Sequence, residues 1–142
     1  MTTGGRMSLT HYWKQQRPFS STEWFHIVDA AKSICSRVAS EGIDLVVDIT
    51  KEGIHVNGTP GSDQEDFILI RPHLGDSDSK YNNVKTAWKP YDLAVCTILI
   101  AVREIAPTSI DLKSDGKWDD QYWLKARHLY EELFETKPGQ GF

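Results

Sequence analysis

A long and mainly apolar stretch, from Leu93 to Ile105, dictates much of how this chain can fold. Pro90 is favoured in a first helical turn, and Asp92 would lie near the positive end of the helix dipole, so a helix is predicted to begin at Pro90. The apolar residues cover nearly its whole circumference: Leu93, Val95, Cys96, Ile98, Leu99, Ile100, Val102 and Ile105. A helix that is apolar on all sides must be buried, so the rest of the chain has to enclose it.

Two further helices are predicted to pack around this central helix. Ser20 and Glu23 form a capping box before the first of them, whose apolar residues recur at helical spacing until Gly42 ends it. Asp119 and Asp120 open the last helix. Each of these two helices has one apolar side, which is expected to face the core.

Short β-strands are predicted between the helices. Residues 43–49 and 54–57 form a hairpin, and residues 109–113 alternate as a later strand. The third strand contains the apolar run Phe67-Ile68-Leu69-Ile70, which is typical of a strand covered on both faces or central in a sheet. The predicted fold is α+β, with a small, mostly antiparallel sheet of about four strands packed by three helices in the order α-β-β-β-α-β-α.

The length of 142 residues is that of one domain. We expect a disordered or tag-like N-terminus over residues 1–9, a single α+β domain over 10–136 and a frayed tail over 137–142. Cys35 and Cys96 both fall on apolar helical faces. They are therefore predicted to be buried, reduced thiols in a cytoplasmic protein.

Charge and motifs argue against several classes of function. The net charge of −4 disfavours nucleic-acid binding, which needs clustered lysine and arginine, and no apolar stretch is long enough to span a membrane. No phosphate-binding loop, dinucleotide-binding glycine pattern or G-x-S-x-G motif occurs, and the five histidines show no metal-ligand spacing. The sequence therefore predicts no catalytic residue, no metal site and no cofactor.

Residues 80–92 carry three lysines and three aromatic residues directly before the central helix. This segment overlaps the end of residues 72–89, which form the longest stretch without apolar periodicity. Long connections of this kind are often functional. Backbone N–H groups at a helix start attract anions, so Lys85 and Lys89 could complete a site for phosphate or carboxylate. Two plainer interpretations stay open: Asp92 fills the anion's place as an internal cap, and the lysines are simply solvated.

Residues 114–120 hold three carboxylates, those of Asp115, Asp119 and Asp120. Oxygen ligands suit calcium or magnesium, but the alternating acidic positions and bidentate glutamate of an EF-hand loop are missing. The same residues also suit a turn followed by a helix start. Trp88 and Trp118 fall in predicted loops, where aromatic residues either mark interface hot spots or fold back onto the domain.

Four short motifs occur in a definite order, namely Asn57-Gly58, Glu65-Asp66-Phe67, Lys85-Thr86-x-x-Lys89-Pro90-Tyr91-Asp92 and Ser114-Asp115-Gly116-x-Trp118-x-Asp120. In this order they resemble a family of small uncharacterised proteins from bacteria and their phages, over roughly residues 8–135. In that family an aromatic residue and a cysteine precede the first lysine, where this chain has Asn83-Val84. The resemblance implies no established activity. It implies a mobile-element setting, in which small accessory proteins bind and block another macromolecule.

The two longer motifs supply the predicted ligand- or partner-binding residues: Lys85, Thr86, Trp88, Lys89, Tyr91, Asp92, Asp115, Trp118 and Asp120. If the motifs meet, they form either a structural ion-pair cluster or a binding pocket. Our first hypothesis is a small non-enzymatic accessory protein of the phage or prophage type, with an inhibitor or anti-defence role. It would bind a macromolecular partner, expected to be a protein, and it could act as a homodimer. The alternative is a small-ligand, phosphate-binding or phosphoester-processing domain that uses the lysine, tyrosine and aspartate side chains of both motifs. A third, nucleic-acid binding by residues 80–91, runs against the acidic charge.

Overall fold

The computed structural model describes residues 9–71, 82–139 and 141–142 of the chain. Most of the tag-like N-terminus predicted over 1–9, and residues 72–81 of the predicted polar stretch, lie outside these ranges. The described residues form these elements in chain order: β1 (Thr10–Gln15), α1 (Ser21–Ser40), β2 (Leu45–Ile49), β3 (Gly53–Gly58), β4 (Phe67–Ile70), β5 (Asn82–Lys85), α2 (Asp92–Ile105), β6 (Ile110–Ser114) and α3 (Gln121–Phe134).

The strands form two antiparallel sheets of three strands each. The first sheet has the order β5-β1-β6, and its middle strand pairs His11 with Val84 on one side and with Ser114 on the other. The second sheet has the order β2-β3-β4. The predicted α+β class with three helices and antiparallel strands is confirmed, and the predicted elements follow one another in the expected order.

One sheet of about four strands was predicted, whereas the described residues form six strands in two sheets. The two additional strands are β1 and β5. In β1 the buried side chains of His11 and Trp13 alternate with half-buried ones, but the strand contains no run of β-branched residues. The four residues of β5 pair with β1, which lies far away in the chain, so nothing local marks them. The two sheets meet where the N–H of Glu65 donates to the carbonyl of Lys85 at 3.3 Å.

The central position predicted for α2 is confirmed, because every residue from Ala94 to Val102 is buried. Both other helices pack against α2. The predicted capping box begins α1: the N–H of Glu23 donates to the hydroxyl of Ser20 at 3.0 Å, and the N–H of Ser20 donates to the carboxylate of Glu23 at 2.9 Å. Gly42 follows the helix with φ of 91°, a left-handed conformation that glycine adopts at little cost.

The C-terminal tail contacts the last turn of α2, and the last helix packs beside α2. Asp120 caps α3, since its carboxylate accepts the N–H groups of the second and third helical residues at 3.0 Å each. In the tail predicted to fray, the N–H of Gly139 donates to Glu104 at 2.8 Å, and the ring of Phe142 lies 5.4 Å from that of Trp118. Within the described ranges, no helix has both the length and the hydropathy needed to cross a membrane.

Candidate functional site

The two polar motifs meet across β1. Lys85, in the first motif, lies opposite Thr10, and Ser114, in the second motif, lies opposite His11. The middle strand of the first sheet therefore carries a histidine between the start of α2 and the turn before α3. His11 and Thr86 are completely buried there, and Asp92 is only 4% exposed.

A continuous set of hydrogen bonds joins these groups. His11 Nε2 lies 2.7 Å from Asp92 Oδ1, and His11 Nδ1 lies 2.7 Å from Ser114 Oγ. Thr86 donates its hydroxyl hydrogen to the same Asp92 oxygen at 2.6 Å. The short distances and the burial make this a polar network inside the core, where each missing partner would leave a costly unsatisfied group.

The surroundings of Ser114 fix the direction of the hydrogen bonds. Its hydroxyl oxygen accepts the indole N–H of Trp123 at 3.1 Å and the backbone N–H of Gly116 at 3.0 Å. A hydroxyl has two acceptor lone pairs and one hydrogen, so the hydrogen of Ser114 points to Nδ1 of His11. Nδ1 is then an acceptor, Nε2 carries the ring hydrogen, and the imidazole donates to the carboxylate of Asp92.

Cys96 completes the network one helical turn after Asp92. Its sulfur lies 3.3 Å from His11 Nε2 and 3.5 Å from Asp92 Oδ2. Burial, followed by the negative charge of Asp92, raises the pKa of the Cys96 thiol well above its usual range. The thiol is therefore a protonated donor to the carboxylate, and it lacks the thiolate character of a nucleophile.

His11, Asp92 and Cys96 also have the residue types of a metal site, and their donor atoms lie within 4.8 Å of one another. A metal bound at Nε2 would require the ring hydrogen on Nδ1, facing Ser114. The oxygen of Ser114 would then receive three N–H donors and have no acceptor for its own hydrogen. The hydrogen-bond directions therefore favour a closed polar network over a metal centre.

The same network has the residue types of a serine–histidine–aspartate triad. A serine nucleophile needs a lone pair directed at the substrate, and a catalytic histidine must reach the leaving group. Both lone pairs of Ser114 are already occupied by N–H donors, and His11 has no exposed surface. The arrangement suits a structural connection between strand and helix starts, and not acyl transfer.

The residues predicted from the first motif fall in several environments. Thr86 and Asp92 belong to the buried network. The ring of Tyr91 is buried and its hydroxyl donates to the backbone carbonyl of Glu65; burial raises the pKa of this phenol. Lys85 lies in β5, where its backbone N–H donates to the carboxylate of Glu65 at 2.8 Å.

Trp88 and Lys89 border a surface cleft between the starts of α2 and α3. The ring of Trp88 meets that of Tyr122 edge-on, with centroids 4.3 Å apart, and 37% of the residue is exposed. Ala87 and Trp88 have φ of 49° and 70°. Non-glycine residues seldom adopt this left-handed region, so the turn before α2 is held by its surroundings in a strained form.

The residues predicted from the second motif are held mainly by local contacts. The carboxylate of Asp115 accepts the N–H of Thr10 at 3.2 Å and the hydroxyl of Tyr12 at 3.3 Å. Asp120 is the cap of α3. The guanidinium groups of Arg103 and Arg127 lie 5.4 and 4.7 Å from the centroid of the Trp118 ring. These are cation–π contacts that fold the tryptophan back onto the molecule.

The two motifs therefore meet through a buried network around the carboxylate of Asp92, and not through the lysine and aspartate pairs on which the pocket hypothesis depends. None of the ion pairs between described residues joins Lys85 or Lys89 to Asp115 or Asp120. Sequence reasoning missed His11, Cys96 and the role of Ser114. The readable signal was the spacing of four residues between Asp92 and Cys96, which places both on one side of a helix.

The second sheet exposes several aliphatic side chains, away from the buried network. Four of the large hydrophobic residues that are exposed in the described chain lie on β2 and β4: Val46 (54%), Val47 (40%), Ile68 (44%) and Ile70 (45%). The strand register places Val46, Ile68 and Ile70 on the side of the second sheet opposite to the core, and we call these three residues the outer face. Their neighbours on β4, Phe67 and Leu69, are buried.

Comparisons with known protein families, with characterised proteins and with solved structures found no match to this chain. The resemblance to a bacterial and phage family therefore stays a prediction.

Proposed function

We propose that this protein acts by binding another protein through the outer face, as a small non-enzymatic accessory protein. The observation that carries the proposal is the mismatch between the sequence of β4 and its surroundings. Its apolar run is typical of a strand covered on both faces, yet Ile68 and Ile70 are nearly half exposed. Exposed aliphatic residues that neighbour one another, as Ile68 and Ile70 do on one face of β4, are typical of interaction sites, so a partner would supply the missing cover.

The size of the outer face indicates how much of the binding it could supply. Complete burial of one aliphatic side chain contributes about 1.5–3 kcal/mol. Val46, Ile68 and Ile70 are each about half exposed, so covering all three contributes roughly 2–4 kcal/mol. Micromolar binding needs about 8 kcal/mol. The outer face would therefore be the centre of a larger contact that includes neighbouring polar groups.

The alternative of a small-ligand or phosphoester-processing site receives less support from the geometry. Tyr91 and Asp120 already bind backbone groups of the chain, and Thr86 and Asp92 are buried in the polar network. Among the described residues, no ion pair joins the lysines of the first motif to the aspartates of the second motif on which the alternative depends. The resemblance to bacterial and phage proteins adds the setting in which a binding protein would act as an inhibitor.

Affinity capture from the source cell tests this proposal. The wild-type protein, an Ile68→Thr/Ile70→Thr variant and a Trp88→Ala variant would be immobilised at equal amounts, and captured proteins would be quantified by mass spectrometry. The proposal expects a protein that the wild type and the Trp88 variant retain and the double variant loses. Melting temperatures of all three show whether the variants are folded. If the Trp88→Ala variant loses the captured protein and the double variant retains it, the proposal is wrong and the binding site lies at the start of α2.

A further inference from the structure

The second sheet ends in an open edge at β2. This strand pairs with β3 on one side, and no strand of the described chain pairs with its other side. Natural edge strands are usually protected against further pairing by charged side chains, especially lysine, by proline or by a bulge. The sequence of β2, Leu45-Val46-Val47-Asp48-Ile49, has neither lysine nor proline, and its one charged residue, Asp48, repels acidic strands but not basic ones. Its open edge therefore presents hydrogen-bonding groups to an additional strand.

An apolar groove accompanies this edge. It lies between α1 and β2 and is lined by Lys32, Cys35, Ser36, Val47 and Ile49. Val47 points to the core side of the sheet, like Val56 directly opposite, yet Val47 is 40% exposed and Val56 only 1%. The difference arises because the sheet stops at β2. A further strand would place its side chains in this groove and cover Val47.

An exposed phenylalanine lies on the same side of α1 as Lys32 of the groove. Phe25 is 68% exposed, and it precedes Lys32 by seven residues, or two helical turns. It therefore lies on the side of α1 that borders the open edge of β2. The apolar surface beside this edge is thus longer than the lining of the groove alone.

Charge is concentrated around the same sheet. Residues 43–70 contain six carboxylates and one lysine, a net charge of −5, whereas the whole chain has −4. All six carboxylates are exposed, and none takes part in an ion pair between described residues. Asp48 lies on β2 itself, in register with His55. A partner strand beside β2 would thus meet negative charge on the outer face.

We propose that β2 accepts a strand from a basic protein partner, with aliphatic side chains alternating with lysine or arginine. This inference rests on the proposed function and names the chemistry of its partner. Side chains of a strand alternate between the two faces of a sheet, so the aliphatic ones would enter the groove and the basic ones would lie beside Asp48. Backbone hydrogen bonds contribute affinity in this mode, and the alternating side chains contribute specificity.

Charge also decides between this partner and a second copy of the chain. Two copies that paired through β2 would join two sheets whose segments each carry a net charge of −5. Like charges on neighbouring strands are destabilising. Lys32, the basic residue of the groove, lies on its α1 wall and not on the outer face, so it does not offset Asp48. A basic strand from another protein removes the repulsion.

The test uses short fluorescent peptides of alternating valine and lysine, methylated at the lysine backbone nitrogens. Such a peptide keeps one hydrogen-bonding edge and cannot assemble with itself beyond a dimer. A first control is methylated at every backbone nitrogen, and a second has glutamate in place of lysine. Binding to the wild type and to an Asp48→Lys variant would be measured by fluorescence anisotropy, and sedimentation would report the oligomeric state.

The proposal expects the valine–lysine peptide to bind the wild type, and to bind the Asp48→Lys variant at least about tenfold more weakly. The fully methylated control peptide should bind the wild type at least about tenfold more weakly than the valine–lysine peptide does. No binding, or equal binding of the fully methylated or the glutamate peptide, would overturn it. So would a wild-type dimer that Val47→Glu converts to a monomer. If the peptides fail while Ile68→Thr/Ile70→Thr still abolishes capture of a cellular protein, strand addition is wrong and the proposed function stands.

Discussion

The Nε2 atom of His11 lies 2.7 Å from the Oδ1 atom of Asp92, although the two residues are 81 positions apart in the chain. This hydrogen bond ties the first strand to the first residue of the central helix. Because both residues are buried and Ser114 extends the network to the last strand, three distant segments depend on one imidazole ring.

Replacement of His11 by alanine is expected to lower the free energy of unfolding by about 2–4 kcal/mol. The substitution leaves the buried carboxylate of Asp92 without one of its hydrogen-bond donors and opens a cavity. Urea denaturation measures the change, and Asp115→Asn, an exposed hydrogen-bonding aspartate, is the control. In a double-mutant cycle, His11→Ala and Asp92→Asn should be clearly less than additive. A loss below about 0.5 kcal/mol, the range of ordinary surface substitutions, would contradict the structural role.

The tautomer of His11 is a separate expectation. The hydrogen is expected on Nε2, because Nδ1 accepts from Ser114. Nitrogen-15 NMR of the imidazole distinguishes the two tautomers directly. A ring hydrogen on Nδ1, together with a zinc-induced rise in melting temperature that Cys96→Ser abolishes, would show that the cluster is a metal site after all.

Both thiols are expected to be unreactive in the folded protein. Burial raises the pKa of Cys35 to about 12 and that of Cys96 well above its usual range, so little thiolate exists at neutral or mildly alkaline pH. Ellman's reagent should label neither thiol before the chain unfolds, and both in concentrated urea. Labelling of a native thiol faster than the measured unfolding rate would show that one of them is accessible and activated.

The helices could be predicted from sequence because their signals are local. The capping box at Ser20 and Glu23 and the apolar circumference of α2 identify their helices within a few residues. β1 and β5 could not be predicted, since their pairing joins residues such as His11 and Val84 that are distant in the chain. The uncovered side of β4 was also hidden, because an apolar run does not reveal whether both faces are filled.

Only part of the candidate site could likewise be predicted from the sequence. The motifs around Thr86 and Asp92 could be recognised in the sequence, and the structure brings them next to Ser114. The histidine that joins them could not, because a lone histidine in a segment without periodicity carries no spacing signal. Nor could the sequence identify the groove beside Val47, whose exposure depends only on where the sheet ends.

The ion pair between Arg17 and Glu23 is expected to make stability pH-dependent. The hydrogen bond from Arg17, followed by that from the backbone of Ser20, lowers the pKa of Glu23 from 4.5 to about 2. A carboxyl whose pKa is lower in the folded state stabilises the fold fully above its ordinary pKa, and this contribution is lost as the pH falls from 4.5 towards 2.

The variant Glu23→Gln separates this charge from the capping box, which also accepts glutamine. At neutral pH the variant should melt at a lower temperature than the wild type, and the difference should shrink towards zero near pH 2. Thermal unfolding followed by circular dichroism measures both. A difference that is unchanged between neutral and acidic pH would contradict the assignment of the lowered pKa to Glu23.

Binding of a protein partner at the second sheet can be located by amide hydrogen exchange in the presence of the captured partner. We expect slower exchange in Leu45–Ile49 and Phe67–Ile70, with the greatest protection at the β2 amides that face the open edge, and little change in residues 85–92 or 114–120. If protection is confined to residues 85–92 and 114–120 and the second sheet is unaffected, the partner binds elsewhere and the proposal is wrong.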